Sequence, residues 1–122
     1  MRLSTQECLG IVKGIDKIKV HKMDIKTAYK LLKVQDALKL VNDSYAKIEQ
    51  GLVEECIDKE SSEGLEGGSF KLLPDKAGYY RDKIMEALNE PVNIDIETIQ
   101  LDDLDGIEMT LETLSLLRPI ID

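Results

Sequence analysis

Apolar residues recur along most of this chain at helical spacing. Ser4 and Glu7 form a capping box. Behind it Cys8, Leu9, Ile11, Val12, Ile15 and Ile18 return every three or four positions. A helix over 5–18 is expected, weakened by Gly10 and Gly14, with Lys19–Met23 as a short connection. Asp24 is placed to cap the next helix. There Leu31, Val34, Leu38, Val41, Tyr45, Ile48 and Leu52 alternate spacings of three and four. That is a heptad seam, and it predicts one long helix over 25–57. At 1.5 Å per residue such a helix is on the order of 50 Å long. The first helix alone is too short to cover it, so the C-terminal half or another chain must complete the cover.

The second half is less regular. DKESSEGLEGGS over 58–69 reads as a flexible polar loop, and FKLL over 70–73 as a short strand. Pro74-Asp75 opens a second amphipathic helix with Ala77, Tyr80, Ile84 and Leu88 on one stripe, stopped at Glu90-Pro91. Val92, Ile94 and Ile96 alternate with polar residues, which predicts a half-buried strand over 92–101. DDLDG is a turn. Thr110 caps a last short helix ended by Pro119, with Met109 and Leu114 placed as a hydrophobic staple. The expected fold is α+β, mainly α. It is a helical hairpin with one long heptad helix, a small β element and a short C-terminal helix, all in a single domain over 1–122.

Composition fills in the core. With 122 residues, 43% apolar, and one Phe, four Tyr and no Trp, one aliphatic core of Leu, Ile and Val is expected. Cys8 and Cys56 fall on apolar helical faces and read as free core thiols, which suits a reducing cytoplasm. MRLSTQEC shows no signal-peptide pattern. No apolar run reaches the ~18 residues of a membrane span. The expected location is cytoplasmic or within a soluble assembly, with no membrane contact.

Charge divides the chain. Net charge is −8, yet residues 13–39 carry eight Lys against three Asp, while 40–122 carry seven Lys or Arg against twenty Asp or Glu. The two halves can fold onto each other or offer surfaces of opposite sign. The basic stretch is the best ligand-facing feature. Lys13, Lys17, Lys22, Lys26, Lys30 and Lys33 are candidate contacts to the phosphates of a nucleotide. With no Arg and only Tyr29 to stack a base, nucleic acid is not the expected partner. The competing reading is a solvated face, or an internal complement to the acidic half.

Catalytic and metal signatures are weak. His21 is the only histidine and lies in the Lys-rich connection, so a Cys–His pair with Cys8 or Cys56 has little support. Zinc ligands are too few. LDDLDGIEMTLE over 101–112 matches the EF-hand loop at Asp103, Asp105, Gly106 and Glu112. It has Leu101 where the first carboxylate belongs, and a strand rather than a helix precedes it. Glu54-Glu55, Asp102-Asp103 and Asp95 with Glu97 are acid pairs of the kind an acidic surface carries. GLEGG over 64–68 lacks the Lys and helix start of a phosphate cradle. Tyr79-Tyr80-Arg81 is a possible contact patch, with Tyr80 packing inward and Tyr79 freer. No catalytic residue, metal or cofactor is assigned, and the chain is not expected to be an enzyme.

The heptad seam has two readings: it packs within the monomer, or Leu31, Val34, Leu38, Val41, Tyr45, Ile48 and Leu52 form an interface for self-association or a partner helix.

LSTQECLGIVKGIDKIKV, the Lys-rich heptad helix, the acidic loop and the closing VNIDIETIQLDDLDGIEMTLETLSLLRPIID together resemble an uncharacterised family of small tailed-phage and prophage proteins. The likeness covers most of the chain through apolar patterning and a turn, and it carries no catalytic residue. It implies a phage origin, a place in the host cytoplasm or the virion, and action by binding. Two functions follow as expectations. One is protein–protein binding as a virion accessory, assembly factor or inhibitor of a host factor. The other is an anti-defence role, sequestering a nucleotide or other phosphorylated ligand through the lysines.

Overall fold

The computed structural model describes residues 1–59 and 71–122. The expected α+β, mainly helical architecture is the one found. Strand β1 (Arg2–Ser4) leads directly into helix α1 (Thr5–Ile18). Helix α2 (Ile25–Cys56) follows, then α3 (Ala77–Leu88), strand β2 (Pro91–Asn93), a 3-10 turn at Leu101–Leu104, helix α4 (Leu111–Leu117) and a closing 3-10 turn at Arg118–Ile120. The 58–69 loop, apart from Asp58 and Lys59, lies outside the described residues, as does Phe70.

The N-terminal capping box forms as read. Ser4 Oγ accepts from the Glu7 N–H at 3.1 Å, and Glu7 Oε1 accepts from the Ser4 N–H at 3.0 Å. α1 is the centre of the molecule, packed between α2 and α4. Its Cys8, Ile11, Ile15 and Ile18 are buried with Leu31, Val34 and Leu38 of α2 and with Ile94, Ile99, Leu104, Leu117 and Ile120 from the C-terminal third. The core is aliphatic, as the composition requires. Each glycine of α1 faces α4. A Cβ on Gly14 would lie 2.8 Å from Leu117 Cδ2, and one on Gly10 3.3 Å from Leu116 Cδ2. The residues that weaken the helix as an isolated element therefore let its neighbour approach closely.

The sequence misplaces the β structure. β1 pairs antiparallel with β2 in the register Arg2↔Asn93, Leu3↔Val92, Ser4↔Pro91. The strand ends at Asn93, well short of the expected 92–101, although Ile94 still exchanges both backbone hydrogen bonds with Met1, its N–H donating to Met1 O at 2.8 Å and its carbonyl accepting from the Met1 amine at 2.9 Å. The inward alternation persists past this pairing: Ile94 is buried and Ile96 half-buried. Ile99 then makes an isolated parallel bridge to Ile121, its N–H donating to Ile120 O at 2.7 Å. The strand expected at 70–73 is a single antiparallel bridge between Ile57 and Leu72. Asp24 occupies the cap position of α2, but its side chain makes no capping bond.

Two buried threonines hold separated segments together, and a third sits in a local helix cap. Thr5 Oγ1 donates to Glu90 O at 3.0 Å, and Thr27 Oγ1 to Asp103 O at 2.9 Å. Thr113 donates its N–H to Thr110 Oγ1, the expected cap of α4.

Candidate functional site

α2 outruns the core. Along the heptad seam Leu31, Val34 and Leu38 are buried, with Leu38 fully enclosed. Val41, Tyr45 and Leu52 are half-buried, and Ile48 is 49% exposed. α1 covers the proximal half. Among the described helices, α3 accompanies the distal half. Leu31, Val34 and Leu38 are thus occupied within the chain, Val41 packs against the edge of the same core, and among the described residues Tyr45, Ile48 and Leu52 are the less covered part of the seam.

α3 runs back along α2. At one end Lys76 Nζ donates to the Glu55 carbonyl at 3.2 Å, placing a cation at the C-terminus of α2. At the other end the Glu90 carbonyl accepts from both the N–H and the hydroxyl of Thr5. Between these ties lies an open groove of about 570 Å³. α2 lines it with Leu40, Val41, Ser44, Tyr45, Ile48 and Leu52; α3 and the residues after it contribute Lys83, Glu86, Ala87 and Glu90, and Thr5 and Val92 close its end. The floor is apolar and the charges sit at the rim. Burial, a hydrogen bond to Glu49 and the nearby charge of Glu49 push the Tyr45 phenol up to about 12, so it stays a neutral donor at physiological pH. Burial also pushes the Tyr80 phenol up.

Lys30 Nζ lies 2.7 Å from Asp103 Oδ2, which also accepts from the Gln100 N–H at 3.2 Å. The bond from Lys30 holds the Asp103 carboxyl below the usual aspartate range. Lys30 and Lys33 line a crevice with Asp95 and Glu97, and Lys33 Nζ stands 4.8 Å from the centre of the Tyr29 ring. On this side the basic stretch meets the acidic half. Lys13 and Lys17 lie on α1, Lys22 in the connection and Lys26 in the first turn of α2, all exposed.

His21 is exposed, whereas both free thiols are buried. Burial first, then the charge of Glu7, raises the Cys8 pKa, which disfavours the thiolate. Over the EF-hand-like residues, Leu101–Leu104 winds into a 3-10 turn and Asp103 is turned toward Lys30. Among the described residues no three His, Cys, Asp or Glu side chains gather closely enough to hold a metal ion. Nor, among them, is any helix long and apolar enough to cross a membrane.

Sequence reasoning missed Leu40, which is 76% exposed at the mouth of the groove. It lies off the seam, but Leu40, Ser44, Ile48 and Leu52 repeat every fourth residue, and this spacing is the signal that would have found it. Lys83 and Glu86 at the rim carry no sequence signal of their own. A second exposed stripe, Ile25, Tyr29 and Leu32, and a C-terminal patch of Leu101, Leu111, Leu114 and Ile121 beside Arg118 were also unforeseen. No protein-family model, curated protein or solved structure matches this chain.

Proposed function

We propose that this chain is a non-enzymatic phage protein that acts by protein–protein binding, as a virion accessory, an assembly factor or an inhibitor of a host factor. The single observation that carries the binding role is the continuation of the heptad seam past the core into an open apolar groove. The buried core of the chain uses the seam as far as Leu38, with Val41 packed at its edge. From Leu40 to Leu52 the same helix offers apolar side chains that the chain only half covers. Such a strip between two helices suits the apolar face of a third, anchored at intervals of three and four residues. The phage origin rests on the resemblance of the chain's segments alone.

Capture of a phosphorylated ligand by the lysines is the less well supported reading. Lys30 is engaged by Asp103, and two further acids line the crevice it shares with Lys33.

Native mass spectrometry of the chain recovered from the cells that make it separates the two. The expected spectrum shows the 13.7 kDa chain with a bound protein that Ile48→Asp releases. A small anionic adduct, lost when Lys26, Lys30 and Lys33 are changed to Glu and kept in Ile48→Asp, contradicts the proposal.

A further inference from the structure

We infer that the tip of the molecule, formed by the α1–α2 connection and the first two turns of α2, rests on an anionic lipid surface. This face is separate from the groove, and the inference stands apart from the binding role proposed above.

The tip carries apolar side chains that the fold does not use. Val20 in the connection is 78% exposed and Ile25 at the start of α2 is 82% exposed, so both project outward rather than line a hollow. Tyr29 and Leu32, also exposed, follow Ile25 at spacings of four and three. At 3.6 residues per turn this stripe lies on the side of α2 opposite Leu31, Val34 and Leu38, which face the core. Lys26 and Lys33, seven residues apart, edge the stripe on one side, with Lys33 Nζ 4.8 Å from the centre of the Tyr29 ring. Asp36, exposed one turn further on, ends it. An apolar stripe edged by lysines, with an aromatic ring among them, is the pattern of a segment that settles at a bilayer interface.

Charge selects an anionic surface. Residues 17–33 carry six Lys and one acid, Asp24. Asp16 holds Lys19 at 3.3 Å and Asp103 holds Lys30, and Asp95 and Glu97 share a crevice with Lys33. Among the described residues no ion pair engages Lys17, Lys22 or Lys26, and these three carry the attraction. Asp43, Glu49, Glu54 and Glu55 lie farther along α2, roughly 30–45 Å from Ile25 at 1.5 Å per residue. A negative plane therefore draws the tip in and pushes the acidic end away. Two other occupants fit less well. Protein interfaces favour Arg and are poor in Lys, yet the chain has no Arg between residues 3 and 80. A nucleic acid has no use for Val20, Ile25 and Leu32. The expectation of no membrane contact rested on the lack of a spanning segment, and a peripheral contact needs none.

Flotation of the purified chain with lipid vesicles tests this. The wild type is expected to float with mixed phosphatidylglycerol and phosphatidylcholine vesicles at low salt, and to stay behind with phosphatidylcholine alone. Moderate salt is expected to weaken the binding, because the lysines lie in solvent. Ile25→Asp, and Lys22→Glu combined with Lys26→Glu, are all at exposed positions. Each is expected to lower the affinity by about tenfold or more, with unchanged far-ultraviolet circular dichroism. Leu111→Asp, on the C-terminal patch, is expected to bind as the wild type does. The chain has no Trp, so Tyr29→Trp supplies a single reporter, whose emission is expected to shift to the blue with the mixed vesicles only. Four results overturn the inference. One is a wild type that does not float with the mixed vesicles, whether or not it binds duplex DNA or an acidic protein instead. Another is flotation that survives both tip variants. The third is flotation lost in the lysine variant but kept in Ile25→Asp, which is adsorption by charge without the apolar stripe. The fourth is an equal loss in Leu111→Asp.

Discussion

Gly14 decides how closely α1 and α4 lie. A methyl group there would come within 2.9 Å of two Leu117 atoms and 3.3 Å of Leu116 Cβ. Overpacking of this kind costs about 1–3 kcal/mol, and the better helix propensity of alanine returns about 1 kcal/mol. Gly14→Ala is therefore expected to lose about 1 kcal/mol in urea denaturation. Gly10→Ala, whose nearest neighbour is one flexible Leu116 methyl at 3.3 Å, is expected to be neutral or slightly stabilising. A gain of stability in Gly14→Ala would show that α4 can yield. Sequence reading saw these glycines only as helix weakeners, because a close approach between segments a hundred residues apart leaves no local pattern. Asp103 is a second case. Its acid pair was legible, its partner Lys30 was not. A carboxyl held below its ordinary value adds stability that is complete above the unfolded value near 3.9. That stability is lost as pH falls through the lower folded value. Denaturation midpoints of wild type and Asp103→Asn are expected to differ by a constant amount between about pH 5 and 8, and to converge below about pH 4. A constant offset down to pH 2 would mean the Lys30 contact contributes no stability.

At the scale of elements, α2 was the most legible feature and also the most consequential. Its heptad spacing predicted the helix to within one residue at its end, because periodicity over three heptads is a strong signal. The same spacing could not say where the core stops. That boundary depends on the length of α1 and on the path of residues 94–104, which carry no repeat. The strand at 92–101 failed for a related reason: alternation reports which side chains turn inward, while a ladder needs a partner, and pairing with residues 1–4 reaches only as far as Ile94. The two halves of α2 should respond differently to the same kind of substitution. Leu38→Ala, at a fully buried site, is expected to cost about 2–5 kcal/mol with association unchanged. Ile48→Ala is expected to cost below about 1 kcal/mol in the unassociated chain, as half-exposed sites do. A loss below about 0.5 kcal/mol for Leu38→Ala would contradict the division of the helix into core and open halves.

For the whole molecule, the charge asymmetry seen in the sequence becomes an internal match in part, with Lys30 on Asp103 and the acids of 95–97 beside Lys33. The aliphatic core and the helical class were legible because composition and spacing fix them. The groove was not, since it forms between α2 and α3 at a distance that no spacing encodes, and the α3 rim enters it only through the fold, although the every-fourth-residue spacing of Leu40 with Ser44, Ile48 and Leu52 is present in the sequence. What the account claims for the molecule is that this groove receives a helix of another polypeptide. The most direct measurement places p-benzoylphenylalanine at position 48 and irradiates the protein in the cells that make it, with the same group at Tyr29, on the exposed face of α2, as the control. The account predicts a covalent protein adduct from position 48, joined through a helical segment, and none of comparable yield from position 29. Irradiation that leaves position 48 unlinked, or links both positions equally, would contradict it.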